Sequence, residues 1–280
     1  MATQPKTVSQ DRPREGEYTL ATGEAAVRRL SALHRVYSPT ARRVLAQAGL
    51  KPGMKVADFG CGVGATTRML AELVGPTGHV TGVDLSAAQL AQGRRLCEEA
   101  GITNATFVEA SATETGLPRD SFDLVYCRFL LLHLVDPAGC LREMREVLKP
   151  GGILVVEDGD LTSAGSVPAS SLHAFADLFG RLAPTRGLDY TLANNLYHMV
   201  KAAGFAELQI EIHQPAVAQG EEKFLLKWSI DEAGPACVEA GLLSEEELER
   251  TLAEMDRDTR DPNILALMPR MSLVWARKPN

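Results

Sequence analysis

Lys55-Val-Ala-Asp-Phe-Gly-Cys-Gly-Val-Gly-Ala65, read together with His79-Val-Thr-Gly-Val-Asp84, decides the fold of this chain of 280 residues. Val56, Ala57 and Phe59 supply strand character, and glycines follow at 60, 62 and 64. Glycine there admits backbone angles closed to other residues and lets a ligand approach the main chain. A helix opening at Ala65 presents unpaired N–H groups to that ligand, which suits a carboxylate or a phosphate. The second strand ends in an acid twenty residues after Gly64. A carboxylate at that strand tip can accept the hydroxyls of a ribose. The pattern is that of a nucleoside-binding α/β half.

Gly60-x-Gly62-x-x-Ala65 matches the dinucleotide fingerprint, so an NAD(P)-dependent oxidoreductase is one reading. Asp58 opposes it. It stands in the strand two residues before Gly60, where a pyrophosphate gains nothing from another negative charge and a ligand carrying an ammonium group is helped by one. Val56-Ala-Asp-Phe-Gly-Cys-Gly-Val-Gly64 resembles motif I of the class I S-adenosylmethionine-dependent methyltransferases. The resemblance covers residues 50–157 with good specificity, and 190–215 and 271–278 more loosely. It implies an α/β fold: a mostly parallel seven-stranded sheet of order 3-2-1-4-5-7-6, last strand antiparallel, helices on both faces. It also implies S-adenosyl-L-methionine as cofactor, with S-adenosyl-L-homocysteine as product.

Carried onto this sequence, the resemblance places Asp58, Gly60, the backbone of Cys61, Gly62, Asp84, Leu85 and Gln89 around the cofactor. Ser111 and Ala112 follow the third strand at the adenine, with serine where relatives usually carry an acid; an ordinary loop is the other reading of Ser111. Arg128 and Phe129 stand at the carboxyl end of the fourth strand, where ligands of open α/β sheets sit. Arg128 there holds a carboxylate or stabilises the loop. His133, within Phe129-Leu-Leu-Leu-His-Leu134, lies near the sulfonium or is a packed, satisfied histidine. Tyr18 and Tyr37, on helices preceding the first strand, reach the cofactor or simply pack.

Along the chain, residues 1–17 are polar and aperiodic and are expected to be a disordered tail. Two helices are expected over 18–50, divided at Ser38-Pro39, and covering the cofactor. The methyltransferase core is expected over 51–218 and 271–280. Ser86 with Gln89 reads as a capping box, and Asp136-Pro137 opens a helix that runs to Leu148. Strand Ile153-Leu-Val-Val-Glu157 follows, with Glu157, Asp158 and Asp160 at its carboxyl end, either facing the acceptor or forming a charged turn. Residues 206–217 alternate, with Leu208, Ile210 and Ile212 expected inward. Residues 219–270 form a helical insert with a break at Gly234-Pro235 and a Ser244/Glu247 capping box, expected to serve as a lid. Trp228, Phe224 and Leu225 are its expected underside, a dimer surface being the rival reading.

The net charge of −7 gives no electrostatic footprint for a polyanion, so a small-molecule acceptor is expected and nucleic acid is not. Cys61, Cys97, Cys127, Cys140 and Cys237 are odd in number and lack paired metal spacing, so neither disulfides nor a metal site is expected. Without a signal-type apolar core or a run long enough to span a bilayer, no membrane association and a cytoplasmic monomer or homodimer are expected. Methyl transfer needs nucleophile, methyl and sulfur held in line. Orientation contributes roughly 7–11 kcal/mol and a positioned base about 10²–10⁴-fold. If the N, O or C nucleophile must lose a proton, the candidate bases are Glu157, Asp158 and His133, in that order. A protein that binds the cofactor without transferring methyl is the reading from another class, and a methyltransferase acting on RNA is a further rival.

Overall fold

The computed structural model describes residues 24–280, so the expected tail and Tyr18 lie outside the described residues. Seven strands form the main sheet: β1 (Lys55–Phe59), β2 (His79–Asp84), β3 (Ala105–Glu109), β4 (Phe122–Arg128), β5 (Leu148–Asp160), β7 (Ala206–His213) and β10 (Arg270–Arg277). Their order is β3-β2-β1-β4-β5-β10-β7, which in chain order of the seven is 3-2-1-4-5-7-6, as the resemblance implied. The first five run parallel, and β10 pairs antiparallel with both β5 and β7. Helices α2 (Ala65–Val74), α3 (Ala87–Glu99), α4 (Pro137–Val147) and α6 (Leu196–Ala202) pack on it, and α5 (Ala174–Thr185) packs on the segment that follows β5. Leu124–Cys127 and Leu154–Val156 have no exposed side chains, because strands covered on both faces are apolar without interruption.

Several local expectations need correction. The N-terminal helix α1 (Glu24–Ala48) is one helix with Pro39 inside it. Proline removes one backbone N–H bond, but Tyr37, Ala41, Val44 and Leu45 are buried on either side of it, and that packing holds the helix together. In the insert, α7 (Leu225–Glu239) likewise runs through Gly234-Pro235. Its neighbour α8 (Glu245–Arg260) opens on the expected Ser244/Glu247 capping box. Strand β5 begins at Leu148, with a register shift between Phe122 and Leu124 that takes up Lys149-Pro-Gly-Gly152.

Ile210 and Ile212 are not inward: they are 45% and 54% exposed, while Leu208 packs on the core. Strand β7 is the outermost of the sheet, and alternation marks a face without telling whether a layer covers it. A second sheet of β6 (Gly165–Val167), β9 (Leu265–Leu267) and β8 (Ala216–Val217), in order β6-β9-β8, ties the segment after β5 to the end of the insert. Strands of two or three residues are too short to show a period. No helix among the described residues is long and apolar enough to cross a membrane.

Candidate active site

The glycine turn after β1 is held by backbone bonds that settle which N–H groups are free. Gly60 and Cys61 both donate to the Val83 carbonyl, at 2.8 and 3.0 Å. The Cys61 N–H is therefore bonded inside the turn, although Cys61 lines the cavity described below. The Gly62 N–H donates to Asp84 Oδ2 at 2.8 Å, and Ser86 N–H to Oδ1 at 2.9 Å. Each oxygen of Asp84 keeps accepting capacity for a hydroxyl. Burial pushes the Asp84 carboxyl above its ordinary value, and those N–H bonds oppose the shift. Gly60 and Gly62 have φ of +67° and +54°; a Cβ on Gly60 would lie 2.8 Å from Leu130 Cδ1. Backbone angle and space both demand glycine there.

Asp58 is only 2% exposed. Thr67, in the first turn of α2, donates its hydroxyl to Asp58 Oδ2 at 2.6 Å. Burial raises the Asp58 carboxyl to about 7; the Thr67 bond and the Arg128 charge oppose this, and Asp84 adds to it. Among the described residues no salt bridge reaches this acid. A cation arriving beside it ionises it.

Of the two roles expected of Arg128, the structure shows the bracing one. Its Nη2 donates to Thr66 Oγ1 at 3.0 Å and meets His34 Nδ1 at 3.2 Å, tying β4 to α2 and α1, while its buried Nη1 finds no partner. Burial first, then the Arg128 charge, lowers His34 to about 3. Phe129, with φ +51°, is held in a conformation that bulky residues rarely adopt, and it lines the cavity.

That cavity has a volume of about 1040 Å³, counted to its open mouth. Its lining includes Gly60, Gly62, Thr66, Asp84, Gln89 and Arg128 from the glycine turn and the strand tips and helices beside it, and Leu161, Phe175, Phe179, Leu225, Leu226 and Ser229 from the segment after β5, α5 and α7. Arg29, Phe129 and His133 line it too. Burial, then the Arg29 charge, lowers the half-buried His133 ring to about 3, and its edge meets Tyr190 with centroids 5.7 Å apart. This is a neutral imidazole in an apolar chamber.

Other expected site residues do not line this cavity. Asp158 is fully buried and faces the turn Leu131–His133, accepting N–H bonds from Leu131 at 2.8 Å, Leu132 at 3.4 Å and its neighbour Gly159 at 2.9 Å. It is the cap of that turn. Asp160 is tied to Arg270 at 3.0 Å and Asn194 at 3.1 Å. Glu157, buried behind the cavity wall, is pushed up to about 7 by burial, with the Arg128 charge and the Tyr126 hydroxyl opposing. Of the three expected bases, His133 alone lines the cavity. Tyr37 donates its hydroxyl to the Pro269 carbonyl at 2.9 Å and packs edge-on against Phe129, so it supports Phe129 from behind. Ser111 bonds Thr113 within its own turn, Ala112 packs on the core, and Leu85 is 48% exposed beside Asp84. Phe224 and Trp228 stack on each other under Arg260 and Arg28, leaving Leu225 as the cavity-facing member of the trio.

Arg29, His34, Thr66, Thr67, Phe175, Phe179 and Ser229 escaped the sequence reading. A signal existed for two sets. Arg29 stands four residues before Leu33, inside the apolar stripe of α1, where a charge needs a reason. Phe175 and Phe179 are one helical turn apart on α5 and touch, at 4.6 Å between centroids.

A family model described as a methyltransferase domain matches residues 50–204. Demethylmenaquinone methyltransferase of Listeria welshimeri is 40% identical over 119 residues, 42% of this chain and 49% of that protein. The chain thus spans about half the length of the curated relatives it matches. Phosphoethanolamine N-methyltransferase 2 of Haemonchus contortus, solved in complex with S-adenosyl-L-methionine, is similar with a TM-score of 0.56 and 18% identity, covering 91% of this chain and 53% of that one. The YcgJ protein of Bacillus subtilis is similar with a TM-score of 0.57 and 19% identity, covering 85% and 97%. Identities this low show a common fold. The family match, spanning more than half of the residues, is the stronger finding, and by it the chain belongs to the methyltransferase-domain family.

Proposed function

We propose that this enzyme transfers the methyl group of S-adenosylmethionine to an N, O or C nucleophile of a small acceptor enclosed between the sheet and the insert. One observation carries the reading: the buried Asp58, without a salt bridge among the described residues, beside Asp84, whose oxygens retain accepting capacity. A cationic, ribose-bearing ligand satisfies both acids, whereas a pyrophosphate meets repulsion at Asp58.

When bound, the cofactor supplies a methyl carbon already activated by a sulfonium. The chain supplies the rest. Asp84 is placed to accept ribose hydroxyls, and Asp58 to hold the ammonium. The unpartnered Arg128 Nη1 and the first turn of α2 suit the amino-acid carboxylate. Leu85 offers an apolar surface for the adenine, near Ser111 and Ala112. Phe175, Phe179, Leu225 and Leu226 exclude water and align the acceptor, and orientation is the largest contribution such a site can make. His133 is the one expected base on the cavity wall, but its lowered pKa suits a neutral hydrogen-bond partner of the acceptor better than a proton acceptor. Residues 219–270, together with those after β5, act as the lid over this chamber. The phenylalanine wall suits a ring-bearing, quinone-like acceptor, and the Listeria relative is named for such a molecule.

Two measurements test this. Calorimetry is expected to show S-adenosylmethionine binding and no NADH binding; NADH binding alone reverses the reading. Radiolabelled cofactor with a broad acceptor panel is expected to yield a methylated product, and persistent silence despite binding favours a binding protein. Affinity is also pH-dependent. The Asp58 carboxyl sits at about 7 before a cation arrives, and the cation favours its charged form, so binding expels a proton below that pH. Affinity is expected to rise about tenfold from pH 6 to pH 8 and then level off. A flat profile contradicts the placement of the ammonium beside Asp58.

A further inference from the structure

The ion pair that joins α1 to α7 leaves part of a guanidinium uncommitted. Arg29 Nε donates to Glu232 Oε2 at 2.8 Å, with side chains only 5% and 6% exposed. A guanidinium and a carboxylate ordinarily meet through two parallel bonds. Here one bond is recorded, and Arg29 Nη2 is buried with no hydrogen-bond partner. Arg29 lines the cavity. A buried, unpaired donor on a charged group is costly and calls for an acceptor.

The walls around it do not supply one. Leu161, Phe175, Phe179, Leu225 and Leu226 have no polar side-chain atom, and the Ser229 hydroxyl donates to the Leu225 carbonyl at 2.9 Å within its own helix. His133 lies close enough for the Arg29 charge to disfavour its protonation. Asp84 and Arg128, whose Nη1 is unpartnered, also line the cavity, while Asp58 lies behind the lining and accepts from Thr67. The lining therefore combines these apolar side chains with Arg29, a positive group that carries an uncommitted donor.

We propose that Arg29 Nη2 is the specificity-determining anchor of the acceptor, which is an apolar, ring-bearing molecule with one anionic oxygen, from a carboxylate or an ionised enol or phenol. This rests on the methyl-transfer reading above, and it assigns to the acceptor's oxygen a partner that none of the sequence motifs contains. Glu232 holds the guanidinium in place from the insert, so the anchor is complete only with α7 packed on α1.

The test uses the full chain loaded with S-adenosylhomocysteine, and calorimetry with 2-naphthoate and 2-naphthol above its ionisation as anionic probes. Neutral 2-naphthamide is the control. Wild type is expected to prefer the anions roughly tenfold or more over the amide, the range of one charge-assisted hydrogen bond. The carboxylate and phenolate arms tell which oxygen class fits better. In the double variant Arg29→Met/Glu232→Met, which leaves no lone buried charge, the preference is expected to vanish while affinity for S-adenosylhomocysteine stays within about threefold. If that variant does not fold, Arg29→Lys, which keeps charge and ion pair but loses the fork, is expected to retain only part of the preference. Equal or absent binding of the anions to wild type overturns the proposal, as does an undiminished preference in the variants. A large loss of S-adenosylhomocysteine affinity in the variants also overturns it, since Arg29 would then serve the cofactor. Failure of wild type to bind S-adenosylhomocysteine is a different result, and it sinks the methyl-transfer reading itself.

Discussion

Asp84→Ala is expected to weaken binding of S-adenosylmethionine by two to four orders of magnitude. The carboxylate is placed to accept two hydroxyls of one ribose, and each charge-assisted bond contributes about 1.5–3 kcal/mol, or a factor of roughly 10–150. Its removal also frees the Gly62 and Ser86 N–H groups, bonded to it at 2.8 and 2.9 Å, so the glycine turn loosens as well. Asp84→Asn separates the contributions. It keeps one accepting oxygen for the turn but turns a donor toward one of the two N–H groups, and its affinity should fall nearly as far. Calorimetry checks both, and an affinity within threefold of wild type in either variant rules out the ribose contact.

The second large effect is on stability, at a residue first expected to do chemistry. Asp158→Ala is expected to cost about 2–5 kcal/mol of unfolding free energy, since it strands the buried N–H groups of Leu131, Leu132 and Gly159. The loss falls short of three full bonds because the carboxylate is itself an expensive group to bury: burial pushes it up to about 7. The pH dependence follows with a definite sign. A carboxyl raised in the folded state binds more protons there than in the unfolded chain between about pH 4 and 7, so its contribution to stability declines as pH rises through that window. Asp158→Asn retains an acceptor and cannot ionise, so its unfolding free energy should decline less between pH 5 and 7. Denaturant unfolding measures both. Normal stability with abolished methyl transfer would return Asp158 to the catalytic role.

Asp158 shows where legibility in the sequence ends. The glycine turn, Asp58 and Asp84 are legible because their work is done by backbone angles and charges set by a few consecutive residues. The same locality explains why the Ser244/Glu247 cap and the Asp136 cap agree with the structure, whereas the sheet order was implied by the family resemblance. Asp158 and Asp160 looked like site acids because they end a strand where ligands sit. Only tertiary structure shows that their oxygens are taken by the turn Leu131–His133 and by Arg270 and Asn194. Pro39 and Pro235 looked like breaks because proline removes a bond locally, and burial of the surrounding face outweighed that bond. The acceptor chamber was the least legible part. Arg29, Phe175 and Ser229 lie on three helices far apart in the chain, and no local pattern links them.

A crystal structure of the protein with S-adenosylhomocysteine tests the central claim most directly. The account predicts ribose hydroxyls on the Asp84 carboxylate, the ammonium beside Asp58, and the sulfur turned toward the chamber of His133 and Arg29. An adenosine bound elsewhere, or a ligand whose amino group avoids Asp58, would contradict it.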